Sequence, residues 1–99
     1  MYKIHQQHKA HIDLKNIWHY SYENHGEKQA DKYYDELIVA METIQQNPQI
    51  GIACDHVRMG YRYYRAKEHF IFYRVTKQTI HIIRILHQKM DAVLQMTRK

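Results

Sequence analysis

The chain has 99 residues, 44% of them apolar and 25% charged. That length leaves room for one core, and the balance is that of a folded globular chain, so a disordered tail-like protein is not expected and residues 1–99 are expected to form a single domain. Fifteen Lys and Arg against ten Asp and Glu give a formal charge of +5 with His neutral, which suits an acidic partner without choosing between protein and nucleic acid.

Tyr2 to Gln6 alternates weakly and reads as a short strand. From His8 the period becomes helical: Ala10, Leu14, Ile17 and Trp18, then Ser21 and Tyr22, form one stripe. His25-Gly26 ends this helix, because glycine tolerates the left-handed cap conformation. Glu27 to Gln46 carries the clearest pattern, with Ala30, Tyr33, Tyr34, Leu37, Ile38, Met41 and Ile44 at three- and four-residue steps. Glu27 and Asp31 sit near its start, where the helix dipole favours anions, and Asn47-Pro48 stops it. The two segments predict a helical hairpin. Residues 49–59 have no clean period and read as a loop of about eleven residues, near the upper limit for a compact domain. Three strands rich in aromatic and β-branched residues follow, over 61–66, 70–75 and 79–86, with turns at Lys67-Glu68 and Thr76-Lys77-Gln78. Met90 to Met96 is expected to form a short closing helix.

Strand alternation sorts the sheet into two faces. Simple pairing puts Arg62, Tyr64, Ile71, Tyr73, Ile82, Arg84 and Leu86 on one face. Tyr61, Tyr63, Arg65, Phe70, Phe72, Arg74, His81, Ile83, Ile85 and His87 fall on the other. Neither is plainly polar, so both need cover. The hairpin can cover one, and a partner surface is expected on the second.

Three features invite chemistry. Among the nine histidines, His8 and His11 are three apart on a helix, but a structural zinc site needs four ligands and a catalytic one three, and no His-Glu-x-x-His pattern exists. The expectation is surface or core histidines with no metal and no cofactor. The single Cys54 excludes an intramolecular disulfide and a cysteine-caged zinc site. Next to Asp55 and His56 it reads as a half-buried small apolar residue, since chain neighbours rarely face each other as a nucleophile and its base. Arg62, Arg65, Arg74 and Arg84 among strand aromatics describe either a single-stranded nucleic-acid surface or a protein–protein surface. No run reaches the roughly 18 apolar residues of a membrane span. Nor does Met1-Tyr2-Lys3-Ile4-His5-Gln6-Gln7 hold the apolar core of a signal peptide, so a cytoplasmic protein without membrane contact is expected.

Arg84-Ile85-Leu86-His87-Gln88-Lys89-Met90-Asp91 resembles the C-terminal signature of ParE toxins in the RelE/ParE superfamily. Other blocks agree in order. Asp13-Leu14, Ile17, Trp18 and Tyr20 resemble the family's first helix, and Gly26, Gln29-Ala30, Tyr33 and Leu37 its second. Asn47-Pro48, Gly51, Cys54-Asp55, Val57-Arg58, Gly60-Tyr61-Arg62 and His69-Phe70-Ile71-Phe72-Tyr73 resemble its loop and central hairpin. Two departures stand out: Ala66-Lys67-Glu68 replaces a turn that often holds small residues, and Arg65 stands where Pro or an apolar residue is common.

The resemblance implies an α+β fold: a short strand, a helical hairpin and a three-stranded antiparallel sheet, with a short C-terminal helix. It implies the toxin of a type II toxin–antitoxin pair that traps DNA gyrase on broken DNA. A ParD-like antitoxin would neutralise it, and a toxin dimer or a toxin–antitoxin hetero-oligomer is a further expectation. The candidate target or antitoxin contacts are Arg62, Arg65, His69, Arg74, Arg84, His87, Met90 and Asp91. The alternative is the RelE branch, a ribosome-dependent mRNA endoribonuclease, with Arg62, Arg84, His69 and His87 as phosphate clamps and proton-transfer groups. A plainer reading lets the last strand merely close the fold, with Arg84 pairing Asp91 and Met90 plugging the sheet edge.

Overall fold

The structure is a computed structural model and describes residues 1–97. The chain runs β1 (Lys3–Gln6), α1 (His8–His25), α2 (Glu27–Gln46), β2 (Ile52–Ala53), β3 (Arg62–Ala66), β4 (His69–Thr76), β5 (Thr79–His87) and α3 (Ala92–Thr97). One glycine joins the two long helices. Gly26 has φ +87°, and its N–H donates to the Tyr22 carbonyl at 2.9 Å while its own carbonyl accepts from Ala30 at 3.1 Å. Residues with a side chain enter that backbone region only at a cost, so a reversal this tight needs glycine. Of the stripes expected from periodicity, Ala10, Leu14 and Ser21 on α1 and Ala30, Leu37, Met41 and Ile44 on α2 are buried, together with Ala40, which lay outside the pattern, whereas Tyr22 and Tyr34 are exposed.

The strands form one sheet in the order β1-β5-β4-β3-β2, with β1 parallel to β5 and the other pairs antiparallel. The expected three-stranded core is β3-β4-β5. Its two turns place Lys67 at φ 54° and Lys77 at φ 22°. Two features lay outside the sequence reading. Two residues of the loop, Ile52-Ala53, pair with β3 as a short strand, and β1 closes the other side of the sheet.

The face lists need one correction, caused by a β-bulge. Phe72 pairs with Arg84 but Tyr73 pairs with Ile82, so Ile83 is an extra residue on β5. An extra residue reverses the alternation beyond it. Arg84 and Leu86 therefore share a face with Phe70 and Phe72, while Ile85 and His87 share one with His69 and Ile71. The helical hairpin covers the latter face, in a core of Leu14, Leu37, Met41, Ile44, Ile71, Tyr73, Ile80, Ile82 and Ile85.

The second face is less open than expected. Cys54, Phe72 and Leu86 are buried there under Val57 and Tyr61 of the loop and Ala92 and Met96 of the closing helix. Cys54 is fully buried rather than half-buried, and burial pushes its thiol pKa up, which suits an inert apolar role. The loop is anchored to the sheet. The Tyr73 hydroxyl donates to the Pro48 carbonyl at 2.7 Å and accepts from the Gly51 N–H at 3.0 Å. No helix among the described residues is long and apolar enough to cross a membrane.

Candidate functional site

A cleft of about 760 Å³ opens where the helical hairpin meets the far ends of β4 and β5. Its walls are Asp13, Asn16, Ile17 and Tyr20 of α1, Gln29 and Tyr33 of α2, the turn at Lys67-Glu68, His69, the Arg84–His87 strand end and Met90. Four of the eight candidates thus converge: His69, Arg84, His87 and Met90.

The polar groups of the cleft are bound to one another. Asp13 accepts from Arg84 through both carboxylate oxygens, at 2.8 Å from Nε and 3.0 Å from Nη2. Its Oδ2 also accepts the Ile85 N–H at 2.9 Å. This carboxylate therefore ties α1 to the stretch of β5 that β1 no longer covers. The expected Arg84–Asp91 pair is replaced by Arg84–Asp13, and the hydrogen bonds to Asp13 raise the Arg84 pKa. Charge-assisted bidentate pairs of this kind are the stronger class of hydrogen bond.

His69 shares a 2.6 Å hydrogen bond through Nδ1 with the Tyr33 hydroxyl, and its ring stands edge-on to His87 at 5.3 Å. The same hydroxyl donates to the Ala66 carbonyl and accepts from the Glu68 N–H, both at 3.3 Å. Burial, then the neighbouring His87, lowers the His69 pKa to about 4, so the ring is neutral near pH 7. His87 Nδ1 accepts the Lys89 N–H at 3.1 Å, which places the proton of a neutral ring on Nε2.

The other candidates lie elsewhere. Asp91 caps α3: its Oδ1 accepts the Leu94 N–H at 3.0 Å. Met90 is half exposed on the rim and does not plug the edge. Arg62 Nη1 donates to the Gly51 carbonyl at 2.8 Å and so fastens the loop. Arg65 Nε donates to the Lys67 carbonyl at 2.7 Å across its own turn. Arg74 pairs with His81 in the sheet register, near the opposite end of β4 from His69. Asp13 and Tyr33 organise the cleft yet were absent from the site expected from sequence. Each stood in view only as part of a helical stripe or family block, because the partners that give them a role are 71 and 36 positions away. Among the described residues no group of three or more His, Cys, Asp or Glu could hold a metal ion.

A family profile described as the ParE toxin of the type II toxin–antitoxin system parDE matches residues 4–92. Toxin ParE1 of Mycobacterium tuberculosis, in each of two strains, is 46% identical over 83 residues, which is 83% of this chain and 85% of the relative. Toxin ParE1 of Caulobacter vibrioides is 40% identical over 84 residues, 85% of this chain and 86% of the relative. A solved structure described as the chromosomal ParDE toxin–antitoxin system from P. aeruginosa superposes with a TM-score of 0.78. At 22% identity, over 88% of this chain and 96% of that one, it shares the fold. The strand, hairpin, sheet and closing helix, the profile over residues 4–92 and the two sets of relatives agree: the chain belongs to the ParE-type toxins of the RelE/ParE superfamily, the toxin component of a ParDE-like pair.

Proposed function

We propose that this toxin acts by binding and inhibiting DNA gyrase, and that a ParD-like antitoxin neutralises it. The reading is carried by the family match across residues 4–92. The geometry of the cleft supports binding over RNA cleavage. A nuclease needs a free phosphate clamp and a group that shuttles protons near neutral pH. Arg84 is held by Asp13, and Arg62 is occupied by a backbone carbonyl outside the cleft. His69, with a pKa of about 4 and a tyrosine on its Nδ1, is a poor acid at pH 7. The exposed features of the rim are those of a contact surface: Tyr20 and Met90 line the same cleft as His87.

Two assays run side by side test the reading: supercoiling by purified gyrase, and mRNA cleavage in a translating extract. Inhibition of the first with intact mRNA in the second is the expected result, and the reverse pattern would assign the chain to the RelE type of activity. His87→Ala is expected to keep its melting temperature and its antitoxin while losing gyrase inhibition. A folded His87→Ala protein that inhibits fully would move the target contact to the β3–β4 hairpin.

A further inference from the structure

The acids of this chain are segregated from its sheet. Seven of the ten lie on α1 and α2, and no strand carries Asp or Glu. Of the other three, Asp55 caps the Gly60 N–H, Asp91 caps α3 and Glu68 sits in the β3–β4 turn. On the face away from the helical hairpin, the end of the sheet near β1 lies beyond the cluster formed with the loop and α3. There the parallel register sets Lys3 beside Thr79 and His5 beside His81, and the antiparallel register sets Arg74 on the other side of His81. Lys3, His5 and Thr76 are exposed, while Arg74 and His81 are half-buried. The charges acting on His81 are those of Arg74 and His5, with no carboxylate among them. The ion pairs among the described residues, Lys67–Glu36 and Arg84–Asp13, involve neither Lys3 nor Arg74.

One step along the same face, at Gln7 and Ile83, a cavity of about 320 Å³ continues the patch. Lys9, His8, Arg58 and Arg84 line it, and no acid does. Arg84 is compensated by Asp13, but Lys3, Arg74, Lys9 and Arg58 take part in neither of the ion pairs named above, and an anionic partner relieves their mutual repulsion.

We propose that this end of the sheet docks the phosphate backbone of duplex DNA, through Lys3, His5, Arg74 and His81, with Lys9 and Arg58 extending the track. Two observations favour DNA over an acidic peptide. A peptide interface draws its energy from buried apolar or aromatic anchors, and the sheet positions here present Lys, His, Arg and Thr instead. Tyr20 and Met90, two of the exposed apolar side chains, line the cleft and not these sheet positions. Binding by neutralised phosphates needs no such anchor and no base contact. Single-stranded nucleic acid is less well matched, since Phe, Tyr and Trp are absent from those sheet positions. The surface deepens the gyrase reading, because a toxin that holds gyrase on DNA would then grip the DNA as well.

The test is fluorescence anisotropy of the full toxin with a labelled duplex of arbitrary sequence, titrated at several salt concentrations. With about four phosphates neutralised, a slope near −0.9 per phosphate predicts roughly a hundredfold loss of affinity between about 50 and 200 mM salt. Lys3→Glu combined with Arg74→Glu is expected to weaken binding at least tenfold and to flatten that slope; Arg58→Glu does so independently, should the strand variant fold poorly. Lys28→Glu with Lys32→Glu makes the same charge change on α2 and is the control. The proposal is overturned by absence of binding at low salt, by a control that loses as much affinity as the patch variants, or by a glutamate-rich peptide that displaces the duplex at equal charge concentration. The assay contains no gyrase, so the two readings fail separately. DNA binding without inhibition of supercoiling would count against gyrase alone, and inhibition with no DNA binding would count against this surface alone.

Discussion

Asp13 accepts three hydrogen bonds at the cleft. Its two oxygens hold Arg84 and the Ile85 N–H, and both side chains of the ion pair are largely buried, at 17% exposure for Arg84 and 13% for Asp13. Removing one partner of such a pair leaves a charge in poor solvent, and that penalty exceeds the net worth of the pair. Asp13→Ala is therefore expected to destabilise the fold by about 2–4 kcal/mol in urea unfolding, and adding Arg84→Met should restore part of the loss. His69 predicts a pH dependence. Its folded pKa of about 4 lies below the ordinary value of 6.5, so between those values the unfolded chain binds more protons than the native one. The stability this residue supports is complete above pH 6.5 and is lost as pH falls toward 4. Solvent in the cleft screens the effect to roughly 1–2 kcal/mol. Urea midpoints at pH 7 and pH 5 should differ in the parent by more than in His69→Gln, and equal differences would remove His69 as the cause.

At the level of elements, α3 is the shortest helix of the described residues. It is six residues long, and the Asp91 carboxylate caps it. Asp91→Ala is expected to cost about 1 kcal/mol, the usual price of an N-cap. The more telling effect is local: α3 covers Cys54, so the variant should react faster with a thiol reagent while the core amides of β4 and β5 keep their protection. The helices and main strands were legible in the sequence because each is a local period bounded by a local stop. Gly26 and Asn47-Pro48 mark the helix ends, and the β-branched and aromatic runs mark β3, β4 and β5. The bulge at Ile83 was not legible, since Ile82-Ile83 is equally apolar at both positions and only pairing with β4 decides which faces the helices. The site was half legible for the same reason. Its strand-end residues follow one another along β5, whereas Asp13 and Tyr33 reach it by tertiary packing.

On the scale of the whole molecule, one sheet serves two cores and two kinds of surface. The hairpin side holds the larger core and the cleft, and the other side holds the smaller core and the cationic end. At Gly51 the loop lies hard against the sheet: an added Cβ would lie 2.5 Å from the Tyr73 hydroxyl and 2.8 Å from the Tyr63 carbonyl. Gly51→Ala should push the loop off the sheet at a cost of about 1–3 kcal/mol, read as a lower melting temperature, and a neutral result would mean that the loop yields freely.

The parallel pairing of β1 with β5 also sets an order in time. Lys3 meets Thr79 and Gln6 meets Ile82, so the first strand made waits for the last before it has a place. Contacts this distant along the chain close late in folding, because loop entropy must be overcome before they form. A nascent chain still short of residue 79 lacks β5, the strand that carries Arg84 and His87 and seats β1. On the proposed reading of the cleft, a chain terminated before residue 79 is expected to be non-toxic, which expression of the truncated chain in growing cells checks.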